Sequence, residues 1–111
     1  MAPAVDWSIY NTIYTERLMG LNTDEDNADG YKNSSLLNDV EAFRGKTFAI
    51  LHGLADDNVH FQNTAEMVNK MISKDIPFDS EFYPNKNHGI YGGNTRIHLY
   101  KKMTEFVVEN L

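Results

Sequence analysis

The second half of the chain has the most regular alternation of hydrophobic and polar positions. Residues 47–51 form a short, almost wholly apolar run between Gly45 and Gly53, which is typical of a strand covered on both faces. Apolar residues then recur at helical spacing as far as Lys74, and Asn58 stands where it could cap that helix. The residues with this spacing are Phe61, Ala65, Val68 and Ile72.

A second strand and a final helix are predicted beyond Pro77. Apolar and polar residues alternate over residues 78–83, which predicts a strand with one side less buried. A polar loop over residues 84–93 separates it from a helix that Asn94 can cap. The predicted inner stripe of that helix is Ile97, Tyr100, Met103, Val107 and Leu111. Strand, helix, strand and helix with short connections predict a parallel βαβα unit over residues 46–111.

The first half of the chain is less regular. Trp7, Tyr10 and Tyr14 are spaced three and four residues apart, which predicts a helix within residues 1–20 that ends at Gly20. The same spacing is also that of ordinary core packing, so the aromatic stripe alone does not identify a binding site.

Residues 21–45 are predicted to form a loop and short helices. Their first ten residues are acidic and turn-rich, as in a solvated loop, and Val40 and Phe43 are expected to turn inward. With the βαβα unit, these segments make residues 1–111 a single, partial α/β domain, in which helices flank a parallel sheet in αβα layers.

Composition and charge exclude several classes of function. The 111 residues are 41% hydrophobic and 23% charged, as in globular domains. There is no cysteine, which excludes a disulfide scaffold, a thiolate zinc site and a cysteine nucleophile. Ten basic and sixteen acidic residues give a net charge of −6, so nucleic acid and anionic membranes are not expected partners. No apolar run reaches the ~18 residues of a membrane span, and no targeting segment is recognisable.

Polar residues follow both predicted strands, at the edge where ligand sites of parallel sheets gather. His88 lies in the glycine-rich loop after the second strand, where a histidine can act as a general base near neutral pH. Such a base needs a carboxylate to fix its tautomer. Asp56 and Asp57, after the first strand, both qualify by position.

The other three histidines have simpler interpretations. His52 falls at the end of the buried strand and is expected to be a core histidine with its hydrogen bonds satisfied. His60 and His98 fall on predicted helices and are expected to be solvent-facing or capping residues. No two histidines have the spacing of metal ligands, so no metal site is expected.

Three motifs resemble the dipeptidyl peptidase IV branch of the prolyl oligopeptidase family, whose fold is that of the α/β-hydrolases. Residues 52–62, His-Gly-Leu-Ala-Asp-Asp-Asn-Val-His-Phe-Gln, resemble its acid loop. Residues 87–90, Asn-His-Gly-Ile, resemble its histidine loop, and residues 13–20, Ile-Tyr-Thr-Glu-Arg-Leu-Met-Gly, resemble its aromatic specificity helix. Residues 91–96 look more like bacterial members, particularly those of Bacteroidetes. The resemblance extends over essentially the whole chain.

The resemblance implies a serine exopeptidase that removes N-terminal Xaa-Pro dipeptides from peptides without any cofactor. Asp56 and His88 match the acid and the histidine of the catalytic triad, and Asp57 would then hydrogen-bond the backbone of its own loop. Asn58 matches a residue that binds the substrate backbone. The residues that match the pocket for the penultimate proline are Trp7, Tyr10, Tyr14 and Val59.

The sequence has no Gly-x-Ser-x-Gly motif. The resemblance therefore implies that the nucleophile, the oxyanion donors and a β-propeller lie upstream, in a longer periplasmic or secreted protein. This chain, as the C-terminal part of the catalytic domain, would be inactive alone. An incomplete sheet exposes strand edges and apolar surface, which predicts self-association, for example as a dimer. The alternatives are a non-catalytic binding or assembly fragment and a related prolyl endopeptidase or acylaminoacyl peptidase.

Overall fold

The predicted parallel strand pair is present in the computed structural model, which describes residues 1–111. In chain order, the helices and strands are α1 (Thr12–Met19), α2 (Ala28–Ser34), β1 (Ala49–Gly53), α3 (Gln62–Ser73), β2 (Asp79–Tyr83) and α4 (Thr95–Asn110). β1 and β2 pair in parallel, in a register that places Gly53 beside Tyr83. α3 makes the crossover that a parallel pair requires. β1 begins two residues later than predicted and includes His52 and Gly53.

The free edge of β1 receives the N-terminal end of the chain. The backbone N–H of Ala2 donates to the carbonyl oxygen of Leu51 at 2.8 Å, and the side chain of Ala2 is buried. β1 therefore has backbone partners on both edges at this level, as an interior strand of a sheet does.

The two helices of the βαβα unit cover opposite faces of the sheet, which gives the expected αβα layers. The larger core lies on the α3 face and consists of Val5, Val40, Ile50, Met67, Met71 and Ile76. The smaller core lies on the α4 face and consists of Tyr83, Ile90 and Leu99, with Leu51 packed against it. Strand residues alternate between these cores because successive side chains point to opposite faces.

The buried face of α3 differs from the predicted apolar stripe. Ala65 and Ile72 are exposed, and the buried residues of the helix are Asn63, Thr64, Met67 and Met71. Asn63 and Thr64 are buried because their side chains have hydrogen-bond partners within the core, which removes the cost of burying a polar group. A hydrophobic pattern does not detect such positions.

The predicted inner stripe of α4 is also wrong. Only Leu99 of this helix is buried, and the five residues of the predicted stripe are between 37% and 101% exposed. The sixteen-residue helix has many more residues than the five-residue strands beside it, and most of its apolar residues remain exposed. Asn94 precedes the helix, but its side chain makes no capping hydrogen bond. None of the helices combines the length and the hydrophobicity that a membrane-spanning helix requires.

The predicted N-terminal helix is interrupted. A 3₁₀ turn at Trp7–Ile9 is followed by an extended residue, Tyr10, before α1 begins. Two capping side chains explain the break, since each starts a new helical segment. Asp6 accepts a hydrogen bond from the backbone N–H of Ser8 at 2.8 Å, and Asn11 accepts one from Ile13 at 3.1 Å. α1 ends at Met19, directly before Gly20, whose φ of 76° is a left-handed conformation that suits glycine.

The segment between α1 and β1 contains one α-helix and two 3₁₀ turns. α2 begins at Ala28, inside the region predicted as an acidic loop, and is followed by 3₁₀ turns at Leu36–Asn38 and Val40–Phe43. Val40 is buried and Phe43 packs against the larger core. This segment thus covers part of the sheet and leads the chain into β1.

Candidate active site

Asp56 and His88 come together at the carboxyl ends of β1 and β2. The Oδ2 atom of Asp56 lies 2.9 Å from the Nδ1 atom of His88. The Asp56 side chain is fully buried, whereas that of His88 is 45% exposed. Because an ionised carboxylate only accepts hydrogen bonds, the ring hydrogen is assigned to Nδ1, which leaves the Nε2 lone pair of His88 available as a base.

The Asp56 carboxylate is held by four donors. Its Oδ1 atom accepts the backbone N–H groups of Asn58 and Val59, both at 2.9 Å. Its Oδ2 atom accepts from His88 and from the Nε2 atom of His52, the latter at 3.1 Å. Two donors on each oxygen fill the lone-pair positions of a carboxylate.

These hydrogen bonds decide the charge of Asp56. Burial by itself would raise the pKa of its carboxyl group, but the hydrogen bonds from His88 and from the backbone of Asn58 and Val59 outweigh burial. The resulting pKa lies below the ordinary value of 3.8, because each of these bonds favours the ionised form. The group is therefore a carboxylate at neutral pH.

The expectation that Asp57 organises the acid loop is wrong. Asp57 is exposed, and the backbone N–H groups of the loop donate to Asp56 instead. The reason is local geometry, since an aspartate side chain readily accepts from the N–H two or three residues further along the chain. Asp56 thus both shapes its loop and contacts His88.

Gly53 allows the acid loop and the histidine loop to approach each other. A Cβ atom at this position would lie 2.3 Å from the carbonyl oxygen of Lys86 and 2.6 Å from that of Asn87. The N–H of Ala55 donates to the same Lys86 oxygen at 3.0 Å. Any side chain at position 53 would push the two backbones apart, and no sequence pattern used above identified this contact.

Ile90 fixes the histidine loop to the smaller core. Its side chain is completely buried against Tyr83 and Leu99, although its φ of 45° is unusual for a β-branched residue. Its N–H donates to the carbonyl oxygen of Asn87 at 3.1 Å, which closes a turn around His88. Burial of the side chain offsets backbone strain of about 1–3 kcal/mol.

Two of the four predicted pocket residues, Trp7 and Tyr10, contact each other, and Tyr10 also contacts Asn58. The hydroxyl group of Tyr10 donates to Oδ1 of Asn58 at 3.1 Å, and the rings of Trp7 and Tyr10 meet edge to face at 5.5 Å. Tyr14 is 59% exposed on α1 and makes no ring contact with this pair. The side chain of Val59 is buried.

A buried asparagine that the sequence patterns did not indicate holds residues 5–10 in place. These residues, which include Trp7 and Tyr10, are called the aromatic segment below. The Oδ1 atom of Asn63 accepts the backbone N–H groups of Val5 and Asp6 at 3.1 and 3.4 Å. Its Nδ2 group donates to the carbonyl oxygen of Ile9 at 3.2 Å. No sequence signal indicates this role, because Asn63 lies outside the apolar stripe that the spacing predicts for this helix.

The remaining polar positions of the site region have structural partners. His52 is buried with both ring nitrogens hydrogen-bonded, which confirms the predicted core histidine. Asn58 does not cap α3; the Nδ1 atom of His60 accepts the N–H of Gln62 there instead, at 3.3 Å. His98 is exposed and bonds the hydroxyl of Tyr83 at 3.0 Å. No three histidine or acidic side chains come together as metal ligands would.

The fold and these two loops define a class of protein. A carboxylate after one parallel strand and a histidine after the next, with helices on both faces of the sheet, form the C-terminal portion of an α/β-hydrolase.

Comparison with known proteins gives the family. The model of the prolyl oligopeptidase family matches residues 1–111, and the chain belongs to this family. It is 43% identical over 107 residues to mouse prolyl endopeptidase FAP and 39% identical to bovine dipeptidyl peptidase 4. These alignments cover 96% of this chain and 14% of each relative.

Solved structures agree with the family assignment. The crystal structure of Porphyromonas gingivalis dipeptidyl peptidase 4 superposes with a TM-score of 0.92 at 45% identity. The structure of a putative dipeptidyl aminopeptidase IV from Bacteroides ovatus superposes with a TM-score of 0.90 at 30% identity. Each comparison covers 99% of this chain and 15% of the solved chain. The chain thus spans about one seventh of the length of its relatives.

Proposed function

We propose that the chain supplies the acid and the histidine of a serine dipeptidyl peptidase that removes N-terminal Xaa-Pro dipeptides. The observation that carries this proposal is the contact between Asp56 and His88, made at the ends of neighbouring parallel strands. The full-length peptidase would supply the serine, the oxyanion donors and a β-propeller from residues outside this chain.

In this reaction His88 moves the proton. Its Nε2 atom takes the proton of the serine hydroxyl as the serine oxygen attacks the carbonyl carbon of the penultimate proline. The same nitrogen then gives that proton to the leaving amine, and water releases the dipeptide in a second cycle. Asp56 keeps the hydrogen on Nδ1 and stabilises the positive charge that forms on the ring.

The aromatic segment would form part of the proline pocket. Trp7, Tyr10, Tyr14 and Val59 are proposed as its walls, because flat apolar surfaces suit a rigid ring that has no N–H to donate. Asn58 is proposed to bind the substrate backbone. Since its Oδ1 atom already accepts from Tyr10, its Nδ2 group is left to donate to a substrate carbonyl.

Hydrolysis of Gly-Pro-p-nitroanilide by the full-length peptidase tests this function. We expect turnover that His88→Ala abolishes, and only background release by the 111-residue chain alone, because a base without a nucleophile has nothing to activate. Turnover by the chain alone that disappears with His88→Ala would contradict an external nucleophile. A full-length protein that binds peptides without cleaving them would instead support a binding or assembly role.

A prolyl endopeptidase activity is the second candidate, because the relatives named prolyl endopeptidase FAP are 43–44% identical to the chain. The same substrate with a free and with an acylated amino terminus separates the two activities. Cleavage of the free form only supports the dipeptidyl peptidase, and cleavage of the acylated form supports the endopeptidase or an acylaminoacyl peptidase.

The source, the location and the self-association of the chain are also proposed. A periplasmic or secreted location and a bacterial source rest on the resemblance of the motifs, and fractionation of the source cells tests the location.

The exposed apolar residues of α4 support self-association of the isolated chain. Sedimentation should show a dimer or a larger species at micromolar concentration, and a stable 12.7 kDa monomer would contradict it.

A further inference from the structure

We infer that His52 is a positioning residue, which holds the Asp56 carboxylate in the orientation that His88 needs. This inference rests on the proposed function, because the orientation matters only if His88 transfers a proton. His52 lies within β1, four residues before Asp56, and both side chains are completely buried. The two therefore meet inside the protein rather than in the substrate cleft.

The contacts of His52 define its tautomer. Its Nε2 atom lies 2.8 Å from the carbonyl oxygen of Val59 and 3.1 Å from Oδ2 of Asp56. Both neighbours only accept hydrogen bonds, so Nε2 must carry a hydrogen. Its Nδ1 atom lies 2.6 Å from the Thr64 hydroxyl, which can donate to it. An uncharged ring with its hydrogen on Nε2 satisfies all three contacts.

This tautomer blocks rotation of the carboxylate. The backbone of the acid loop holds Oδ1 through two N–H groups, and the His52 Nε2–H holds Oδ2 from within the core. The remaining acceptor direction of Oδ2 is occupied by His88. Without the His52 donor, one oxygen would be held by the backbone while the other could move away from His88.

The support behind His52 is rigid. The strand fixes its backbone, the ring of Phe61 packs edge to face against it at 5.5 Å, and Thr64 contacts it from α3. His52 and His88 are the only titratable side chains that hydrogen-bond to Asp56. The carboxylate is therefore oriented by one histidine from the core while it orients another in the cleft.

Two substitutions in the full-length peptidase separate positioning from packing. A glutamine amide can reach the place of Nε2, so His52→Gln keeps a donor for Asp56. An asparagine amide reaches only the place of Nδ1, so His52→Asn keeps a partner for Thr64 and loses that donor. We expect His52→Asn to lower kcat by about tenfold to hundredfold with KM changed less than about twofold. We expect His52→Gln to stay within about threefold of wild type in kcat.

A third substitution tests the tautomer with little change of shape. Thr64→Val leaves Nδ1 without a partner, but Val59 and Asp56 still present only acceptors to Nε2, so the hydrogen should stay on Nε2. We expect kcat to stay within about threefold of wild type with KM preserved. A loss of about tenfold or more in Thr64→Val would contradict the assigned tautomer, because Thr64 rather than the two acceptors would then place the hydrogen. Equal loss in His52→Gln and His52→Asn would mean that His52 acts only through packing.

A spectroscopic measurement distinguishes failure of this inference from failure of the proposed function. The hydrogen shared by His88 Nδ1 and Asp56 should give a far-downfield proton resonance in the wild-type protein, broadened in His52→Asn and retained in His52→Gln. If the wild type cleaves no proline substrate but shows this pattern, the proposed function fails and the positioning role stands. If the wild type is active and the resonance is unchanged in His52→Asn, the positioning role is wrong.

Discussion

The acid–histidine pair and the aromatic segment are built in different ways. All four donors to Asp56 lie within residues 52–88, on β1 and the two loops that follow β1 and β2. The aromatic segment, by contrast, is only partly buried and is tied to that unit by the bonds of Asn63 and by the bond of Tyr10 to Asn58. The comparison teaches that the acid–histidine pair is organised inside one βαβα unit, whereas the aromatic segment, which is proposed to bind substrate, packs onto that unit from outside.

Asp56→Asn should produce the largest effect, and it tests the acid–histidine pair. An amide at this position favours the wrong tautomer of His88, so we expect kcat of the full-length peptidase to fall by about 10⁴-fold. Asp57→Asn is the matched control and should leave kcat within about twofold, because a substitution away from buried contacts has little effect. Steady-state kinetics with Gly-Pro-p-nitroanilide measure both, and a larger loss in the Asp57 variant would reverse the assignment.

Gly53→Ala tests whether close approach of the two loops is required. The added Cβ atom would press on the carbonyl oxygens of Lys86 and Asn87, and a displacement of about 1 Å at a reacting group can cost about a hundredfold in rate. We therefore expect kcat to fall by about tenfold to hundredfold. Gly93→Asn is the control, since that position is open and asparagine tolerates its φ of 55°. Unchanged kcat in Gly53→Ala would show that the loops adjust freely.

Asn63→Leu should loosen the aromatic segment without disturbing the acid–histidine pair. Three backbone groups would lose their partner, and unsatisfied buried groups cost about 1–3 kcal/mol. We expect amide hydrogens of residues 5–10 to exchange about tenfold or more faster in the full-length protein, with exchange in residues 52–60 unchanged. Asn69→Leu, on the exposed side of the same helix, is the control. Equal protection in the two variants would mean that other contacts hold the segment.

Acid should weaken the acid–histidine pair. The pKa of Asp56 is lowered in the folded protein, so its contribution to stability is complete above its unfolded pKa and is lost as pH falls through the folded pKa. The thermal midpoints of wild type and Asp56→Asn should therefore differ at pH 7 and converge below about pH 4. A constant difference across this range would show that the ionised form of Asp56 is not the stabilising one.

Tyr10→Phe should produce the smallest effect. The bond from its hydroxyl to Asn58 is exposed, and such a bond contributes about 0.5–1.5 kcal/mol. We expect kcat/KM to fall by about threefold, mainly through KM. Tyr100→Phe, exposed on α4, is the control and should match the wild type. A loss of a hundredfold in Tyr10→Phe would place this hydroxyl in the chemical step.

The sequence predicted the parts that depend on local patterns and motifs. The parallel strands and the crossover helix follow from strand and helix periodicity. The rule that strand ends share an edge places the two aspartates of the acid loop near His88, and the resemblance of the motif selected Asp56 of the two. Asp57 was assigned a role that Asp56 performs, because both aspartates fit the same position along the chain. Only the hydrogen bonds of the folded loop distinguish them.

The parts that the sequence did not predict depend on contacts between distant residues. Asn63 is polar on a helix, so a hydrophobic pattern places it outside, yet it is buried because Val5 and Ile9 bond it. Gly53 differs from other glycines only through its neighbours in the histidine loop. The stripe of α4 was assigned inward because periodicity identifies an apolar face but not what covers it.

The bonds of Asn63 also have a consequence for the order of folding. They join residues 54 to 58 positions apart, against 30 for the pairing of β1 with β2, yet doubling a loop adds only about 0.6 kcal/mol to its closure. The entropy of loop closure alone therefore does not delay docking of the aromatic segment. The Asn63 side chain, however, faces the core only once α3 has packed against β1. The aromatic segment should consequently dock last and be the first part to open in the native state.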